Sequence, residues 1–491
     1  MKKAQEKGHS IRYNFIMNFI LTASQFIFPL ITFPYVSRVL MAAGNGKVSF
    51  VSSVANYFLM VASLGIPTYG VRACAQVRDN KEKLSKTVQE ILLINLVTTI
   101  LVIITYVICI FTIPRFYTDK TLFLIYGINI LLNMFGMNWL FQALEKYDYI
   151  TFRSLIFKVI SVVLMFALVH QEDDYVIYGA ISVFAAVGSN LLNFVRVHRY
   201  ISFKWLGKYE IKKHLKPICI LFAQSLAVSI YTNLDTVMLG FMKTDVDVGY
   251  YNAAVKIKTI LVSLVTSLGN VLLPRMSYYV KKKMSVEFDK ITLKALNFTV
   301  MLSIPLVVYF IIFADEAIIF LAGEGYSGAV LAMRIITVGV IPIGLTGVLG
   351  SQVLTALEKE KYVLYSVIVG AIVDFLLNLV FISTSGAAGA ALATMIAEFV
   401  VLLVQVIFTK ELIWKLKAKF RFHIYIGLAV IAGIISILIK QININFIFFI
   451  LLISVIVFFG IYILGLFLTK EKIVWEVVEV IKNKISKKEK N

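Results

Sequence analysis

The sequence predicts an all-α membrane protein of about 14 transmembrane helices, arranged as two parallel six-helix lobes followed by two extra C-terminal helices. Three observations predict this fold: apolar runs of membrane-spanning length, an asymmetric placement of Lys and Arg, and an internal repeat. The 491 residues are 59% hydrophobic and 15% charged, with a mean hydropathy of +0.86. A soluble protein of this length needs a polar surface that this composition cannot supply, so many apolar side chains must face lipid.

The apolar runs define the spans, because about 20 apolar residues cross roughly 30 Å of hydrocarbon. A first set is predicted at 13–40, 48–75, 88–113, 121–143, 150–170 and 176–198, a second at 217–242, 250–278, 291–321, 329–357, 362–384 and 387–409, and two more at 422–440 and 446–469. The first run follows a basic segment, as in a signal peptide. It has no convincing small-residue cleavage site, so we expect it to be the first membrane helix.

The formal net charge of +20 resides in short segments between the apolar runs. This distribution is typical of membrane orientation and not of a nucleic-acid-binding face, so no nucleic-acid partner is expected. Assigning alternate loops to opposite sides leaves six basic residues on the side away from the N-terminus: Arg38, Lys47, Arg115, Lys120, Lys243 and Lys440. We therefore expect a multi-pass protein of the cell membrane with both termini in the cytoplasm.

The two sets of six spans share residues at corresponding places. The segment Ala143–Lys146 (Ala-Leu-Glu-Lys) ends the fourth predicted span, and Ala356–Lys359 ends the tenth. Gly46 and Gly249 begin the second and eighth spans. An even number of spans per repeat gives both halves the same orientation, with a substrate path between them. We expect an N-lobe at 1–208, a C-lobe at 209–415, two additional helices at 416–469 and a basic cytoplasmic tail at 470–491.

Ionisable side chains inside the spans are the candidate functional residues, since one near the middle of a bilayer costs about 2.5–3.5 kcal/mol and usually faces protein or water. The basic candidates favour a cationic pathway, which suits an anionic, phosphate-bearing cargo. They are Arg38, Arg72, Lys256, Lys258 and Arg334, and Lys158 and Arg275 also come within reach of an internal cavity. Lys256 and Lys258 are about 200° apart around a helix, so both cannot line the same narrow face.

Three acidic residues also lie well inside spans, namely Asp235, Asp374 and Glu398. A buried carboxylate either pairs with a cation or binds a transported ion. Asp235 is the better candidate for ion coupling, because Asn233 could supply a second oxygen. A structural ion pair with Lys256 or Lys258 is the competing role.

The sequence does not predict a catalytic domain outside the membrane. It contains no Walker A motif, and no loop is large enough for a catalytic domain. Cys74, Cys109 and Cys219 have neither metal-binding nor redox spacing. We therefore expect no enzyme activity, no direct ATP drive, no cofactor and no metal site.

Several segments resemble the polysaccharide-transport (Wzx-like) oligosaccharide flippase family. That family belongs to the multidrug/oligosaccharidyl-lipid/polysaccharide exporter superfamily, together with multidrug-and-toxin extruders and peptidoglycan-precursor flippases. The resemblance covers nearly the whole chain in order and is carried by Ser37–Leu40, Leu64–Pro67, Leu234–Gly240, Gly249–Ala254 and Leu273–Ser277. The chain departs from the family at Met41–Gly44, where Gly-Pro is commoner, and this departure should loosen a turn.

The resemblance implies two six-helix lobes around a central cavity, with two extra helices. It implies translocation of polyprenyl-pyrophosphate-linked oligosaccharide units for capsule, exopolysaccharide or other cell-surface glycan assembly, by alternating access. The implied partners are this cargo, membrane lipids, and the polymerase and glycosyltransferases of the same pathway. The family's cavity-lining helices point to Arg38, Arg72, Asp235, Lys256 and Lys258.

Three alternatives remain open. A cation-coupled multidrug extruder shares the fold but would favour carboxylates over lysines in the N-lobe. A peptidoglycan-precursor lipid flippase shares both the fold and an anionic lipid cargo. A membrane-embedded glycan polymerase or ligase usually needs a large outer loop, which the sequence lacks.

Overall fold

The computed structural model describes residues 11–267, 269–441 and 446–475, and the statements below concern these residues. The described residues are almost wholly helical and contain no strand. Two compact units divide the chain, Met1–Gly249 and Tyr250–Asn491. The predicted lobe boundary at 208 rests on the repeat and stays a prediction. The unit boundary reflects packing, because the helix over 212–242 packs against the first two helices.

The first unit holds helices α1 to α10. Their bounds are α1 (Ile11–Ser63), α2 (Ile66–Ala75), α3 (Lys81–Thr112), α4 (Pro114–Thr118), α5 (Lys120–Gly136), α6 (Asn138–Ala143), α7 (Tyr147–Leu168), α8 (Tyr175–Val187), α9 (Asn190–Val197) and α10 (Lys212–Met242). A 3-10 turn, Glu172–Asp174, precedes α8. The unit boundary falls within α11 (Asp245–Thr266).

The second unit continues with helices α12 to α20. Their bounds are α12 (Gly269–Lys281), α13 (Ser285–Ile312), α14 (Ala314–Ala322), α15 (Ala329–Val338), α16 (Val340–Thr346), α17 (Glu360–Phe408), α18 (Lys410–Leu416), α19 (Phe422–Ile437) and α20 (Ile447–Leu468). A π-helix, Gly347–Leu354, joins α16 to the segment before α17. The basic tail predicted from 470 lies mostly outside the described residues, which end at 475.

Every predicted span coincides with one helix or with consecutive helices. By length and composition, 10 stretches of the described chain can cross a membrane. Two of these stretches, α1 with α2 and α17, each contain two predicted spans, and α10 and α11–α12 supply the two spans outside the 10. The prediction of an all-α membrane protein with about 14 transmembrane helices is therefore confirmed.

Both long helices, α1 and α17, bend at a residue with non-helical backbone. In α17 this residue is Gly386, with φ 53°, a conformation that glycine adopts without a steric penalty. In α1 it is Met41, with φ 53° and ψ −173°. A side chain strains the backbone there, at a typical cost of about 1–3 kcal/mol. The expectation of a loosened turn at Met41–Gly44 is replaced by a strained bend.

Packing is inverted relative to a soluble protein. Phe152, Val195 and Leu468 are each more than 70% exposed, whereas Asn193 and Asn378 are fully buried. Apolar side chains on the outside and polar ones inside suit a protein surrounded by lipid. In the second unit the two helices outside the repeat, α19 and α20, pack on α13 through an aromatic cluster of Tyr309, Phe313, Tyr425, Phe458 and Tyr462.

The Ala-Leu-Glu-Lys segments of the two halves adopt the same helix-ending structure. Glu145 and Glu358 have left-handed backbone, with φ 55° and 58°. In each copy the Glu N–H donates to the carbonyl three residues back, of Gln142 or Thr355, at 3.0 Å, and the next N–H reaches five residues back. This is a Schellman motif, which is usually built on Gly. The same pattern also ends helices at Lys283 and Lys470, so it is not specific to the repeat. Glu145 also accepts a hydrogen bond from Arg78 at 2.6 Å, which raises the pKa of that guanidinium.

The two glycines that the repeat relates, Gly46 and Gly249, lie against each other where α1 crosses the first turn of α11. A Cβ on Gly46 would lie 1.7 Å from the carbonyl oxygen of Asp245. A Cβ on Gly249 would lie 2.1 Å from that of Ala42. Neither position has space for a side chain, so this close backbone approach requires glycine on both helices.

Candidate functional site

A pocket of about 340 Å³ lies within the first unit between α1, α7 and α8. Its lining mixes apolar side chains with hydroxyl groups, and Lys158 is the charged residue in it. Lys158 is near the middle of α7, about 16 Å along the helix axis from either end. This depth corresponds to the middle of a span, where lipid offers a cation no solvation. The pocket therefore provides a polar environment inside the membrane.

The contacts of Lys158 with the described residues are to neutral groups. Its Nζ donates a hydrogen bond to Ser24 Oγ at 2.7 Å and lies 5.7 Å from the centroid of the Phe28 ring. The side chain is half-buried. Within the part of the chain that the structure describes, no carboxylate forms an ion pair with it. A positive charge held at this depth by a hydroxyl and an aromatic ring still attracts an anion.

Hydroxyl groups around Lys158 add further donors. Ser24, Ser161 and Ser182 donate to carbonyls of their own helices, at 2.6, 2.8 and 2.9 Å respectively. In bonds of this kind the carbonyl also accepts a backbone hydrogen bond of the helix. Rotating the hydroxyl toward a ligand therefore loses only one weak side-chain hydrogen bond. An ammonium group surrounded by such hydroxyls suits a phosphate or carboxylate oxygen.

A second charged group of the first unit is fully compensated. Arg115 forms ion pairs with Asp119, at 3.2 Å, and with Asp245. The Asp119 side chain is 1% exposed, and it also lies 3.8 Å from Lys47 Nζ. Lys47 in turn lies over the Tyr175 ring. Two of the six basic residues predicted on the outer side are thus balanced by two carboxylates, and together they fasten α4 to the first turn of α11.

A buried polar cluster joins α2, α3 and the start of α10. Glu90 is fully buried and accepts hydrogen bonds from His214 Nε2 at 2.8 Å and from the backbone N–H of Glu210 at 2.8 Å. Lys213 Nζ lies 3.1 Å from the same carboxylate, and the Tyr69 hydroxyl lies 2.6 Å from His214 Nδ1. Glu90 is not among the residues predicted from the sequence, because it lies near the start of a span. Its partners satisfy it internally, which indicates a structural anchor.

The basic residues predicted in the first unit are accessible. Arg38 is exposed, and its Nη1 donates to the Pro34 carbonyl at 2.6 Å. Arg72 is exposed and lies over the Tyr69 ring at 5.6 Å. Their role in a cationic pathway stays a prediction.

The basic residues predicted in the second unit differ from each other. Lys256 is exposed and Lys258 is half-buried, on either side of a buried stripe that includes Ile257 and Leu261. Arg334 forms an ion pair with Asp315 at 2.5 Å, and both side chains are largely exposed. The charge of Arg334 is thus balanced by Asp315. A role of Lys256, Lys258 and Arg334 in binding an anionic cargo stays a prediction.

All three predicted ion-coupling residues are buried: Asp235 is 4% exposed, Asp374 1% and Glu398 7%. Asp374 lies one helical turn before buried Asn378 on α17. Glu398 lies beside Gly339, where a Cβ would be 3.9 Å from Glu398 Cγ. Their burial fits either role considered for them, so ion coupling stays a prediction.

Comparison with known families gives two matches. A family model described as "Polysaccharide biosynthesis protein" matches residues 11–280, more than half of the chain, and a model described as "MatE" matches residues 221–380. A curated relative from Escherichia coli (strain K12), named "Putative O-antigen transporter", is 23% identical over 410 residues. The match covers 82% of this chain and 97% of the relative.

Solved structures show the same fold at low sequence identity. The structure titled "Lipid II flippase MurJ, inward closed conformation" superposes with a TM-score of 0.74 at 17% identity, and the match covers 94% of this chain and 100% of that one. An inward-facing multidrug resistance MATE family transporter superposes with a TM-score of 0.63 at 13% identity, covering 80% of this chain and 96% of that one. At these identities the likeness concerns the fold alone.

Proposed function

We propose that this chain, which belongs to the polysaccharide biosynthesis protein family, is a flippase that carries polyprenyl-pyrophosphate-linked oligosaccharide units across the cytoplasmic membrane. The observation that carries the proposal is the family match, together with a relative named as a putative O-antigen transporter that aligns over nearly its whole length. The transported units would serve capsule, exopolysaccharide or another cell-surface glycan. The polymerase and glycosyltransferases of the pathway are the protein partners that this role implies.

The mid-membrane pocket suits the charged part of such a cargo. Lys158 and the surrounding hydroxyls offer donors to a phosphate oxygen at the depth where lipid offers none. Further positive charge for the phosphate groups of the cargo comes from three exposed residues, Arg38, Arg72 and Lys256. The polyprenyl tail stays in the bilayer, so only the headgroup needs a polar route. Alternating access requires one conformation open to the cytoplasm and one open to the outside. Transport by this route follows if the two conformations bind the headgroup with different affinity.

The orientation in the membrane is part of the proposal. Both termini are placed in the cytoplasm, because most Lys and Arg are predicted to lie on that side. Reporter fusions after Asp173 and after Lys243 should report an outside location, whereas fusions after Lys146 and after Lys283 should report a cytoplasmic one. A cytoplasmic signal from both of the first two would reverse the orientation.

Transport is tested with the purified full-length protein in liposomes. A fluorescent polyprenyl-pyrophosphate-linked sugar is placed in both leaflets, and a membrane-impermeant quencher reports the exchange between them. We expect protein-containing liposomes to expose the inner-leaflet pool much faster than protein-free liposomes do. Movement of cationic dyes driven by an ion gradient, without movement of the lipid-linked sugar, would instead identify a multidrug extruder.

Flipping of a peptidoglycan precursor is a second candidate, since a structure titled as a lipid II flippase has the same fold, with a TM-score of 0.74. The same liposome assay separates the two functions when the labelled lipid carries either an oligosaccharide unit or the peptidoglycan precursor. The proposed function predicts faster exchange of the oligosaccharide lipid. Faster exchange of the precursor lipid would favour the second candidate.

A further inference from the structure

A second pocket, of about 880 Å³, lies in the second unit. It is bounded by the first half of α13, the segment between α18 and α19, and the residues that follow α20. These boundaries all lie at the helix ends predicted to face the cytoplasm. The pocket is separate from the Lys158 pocket, which is built from helices of the first unit.

Positive charge dominates this pocket. The charged residues in its lining are Lys290, Lys294, Lys419, Arg421, Lys472 and Glu471. Glu471 is 2% exposed and accepts a hydrogen bond from Arg421 at 2.9 Å, so the carboxylate is engaged within the protein. The side chains of the four lysines are exposed. One carboxylate among five cations leaves a strong attraction for anions.

The contacts beneath the lysines fix the shape of the pocket. Asn297 of α13 is buried, and its Nδ2 donates to the Lys419 carbonyl at 3.5 Å. Its Oδ1 accepts from the Arg421 backbone N–H at 3.4 Å. The Arg421–Glu471 pair then ties the same segment to the end of α20. The cations thus come from three segments that are held together by specific bonds, which a random basic surface would lack.

Apolar side chains share the lining with the lysines. Leu293, Phe420, Ile424 and Ile473 all contribute to it. Trp475, two residues beyond Ile473, is 45% exposed, as is common for tryptophan at a membrane boundary. A soluble anion would gain nothing from these apolar groups. A phospholipid would place its phosphate on the lysines and the upper part of its acyl chains on the apolar residues.

We propose that this pocket binds the phosphate headgroup of an anionic membrane phospholipid, against the two helices that lie outside the repeat. Basic pockets between helices on the cytoplasmic side are suited to such headgroups, because the lipid supplies negative charge at a fixed depth. Bound lipid would fill the gap between α13 and the end of α20 and would hold α19 and α20 in place. This role does not depend on which cargo the protein carries.

The test uses the purified full-length protein and native mass spectrometry, with phosphatidylglycerol or phosphatidylcholine added at equal concentration. The double variant Lys290→Gln/Lys294→Gln should bind phosphatidylglycerol about tenfold more weakly or worse, with unchanged retention of phosphatidylcholine. The control Lys281→Gln/Lys282→Gln removes two exposed lysines near the same side but outside the pocket, and it should bind as the unmodified protein does. The variant Lys290→Arg/Lys294→Arg should also retain phosphatidylglycerol.

Three results would overturn the proposal. One is an equal loss of phosphatidylglycerol binding in the control variant, since the effect would then be that of overall charge. Another is equal retention of the two lipids by the unmodified protein. The third is full displacement of the lipid by millimolar inorganic phosphate, which would identify a site for a soluble anion. The thermal unfolding midpoint of each variant without added lipid shows that the variants are folded.

Discussion

Arg115 and Lys158 are both cations of the first unit, but their surroundings differ. Arg115 lies between the carboxylates of Asp119 and Asp245, and its Nε donates to the Gly240 carbonyl at 3.0 Å. Lys158, in the middle of α7, contacts a hydroxyl and an aromatic ring. The two carboxylates neutralise the charge of Arg115. The charge of Lys158 has no such partner among the described residues, and we expect an anionic ligand in the pocket to supply one.

This difference suits a structural role for Arg115 and the proposed ligand-binding role for Lys158. Breaking a buried ion pair is costly, because the remaining charge is left without compensation. A lysine at mid-membrane depth with neutral contacts contributes little to folding and carries a penalty for its depth. Such a residue is useful to the protein when a ligand supplies the missing negative charge. The comparison therefore predicts that stability depends on Arg115 and transport depends on Lys158.

The largest effect on stability is expected for Arg115→Gln. The substitution leaves the buried Asp119 carboxylate and Asp245 without their shared partner, at a cost of about 3 kcal/mol. Thermal unfolding in detergent should show a midpoint lowered by several degrees, with reduced abundance in the membrane. The matched control is Lys120→Gln, which removes an exposed cation that lies over the Tyr117 ring. An unchanged midpoint in Arg115→Gln would contradict the structural role.

A smaller effect of opposite sign is expected for Met41→Gly. Met41 bends α1, the helix that carries both contacts of Lys158, and its backbone conformation favours glycine. Relief of the strain should stabilise the protein by about 1 kcal/mol. The control Met41→Leu keeps a Cβ and should give no gain. If both variants unfold at the same temperature, the bend does not store the strain inferred here.

The smallest effect on stability is expected for Lys158→Gln. Its two contacts are neutral, so the free energy of unfolding should change by less than about 1 kcal/mol. The same unfolding measurement, run beside Arg115→Gln, tests the contrast directly. A loss as large as that of Arg115→Gln would place Lys158 among the structural residues.

Sequence patterns were sufficient for the spans, because apolar runs of about 20 residues have few alternatives to a membrane helix. They also related the two halves through the Ala-Leu-Glu-Lys segments, whose backbones share left-handed Glu145 and Glu358. The sequence predicts a turn in the segment that contains Met41, but it predicts a loosened turn where the structure has a strained bend. A strained conformation depends on packing around the bend, and local sequence does not determine that packing.

The sites were harder to predict, since partners come from distant parts of the chain. Arg334 lies in an apolar run, yet a fold that brings Asp315 within 2.5 Å balances its charge. Glu90 is near a span end in sequence, but the start of α10 buries it. From its position in the sequence, Lys158 could only be predicted to come within reach of an internal cavity. The structure adds that, among the described residues, no carboxylate forms an ion pair with it, and the proposed role of Lys158 rests on this.

The proposed role of Lys158 in binding cargo is tested most directly by a transport rate. This is the rate at which liposomes containing Lys158→Gln exchange a fluorescent polyprenyl-pyrophosphate-linked sugar between leaflets. The unmodified protein, Lys158→Arg and Lys158→Gln are compared at equal amounts of folded protein. We expect Lys158→Gln to lower the rate at least about tenfold, because a charge-assisted bond to phosphate contributes roughly 1.5–3 kcal/mol. Lys158→Arg, which keeps the charge, should retain most of the rate. Equal rates for all three proteins would contradict the claim that this pocket receives the anionic part of the cargo.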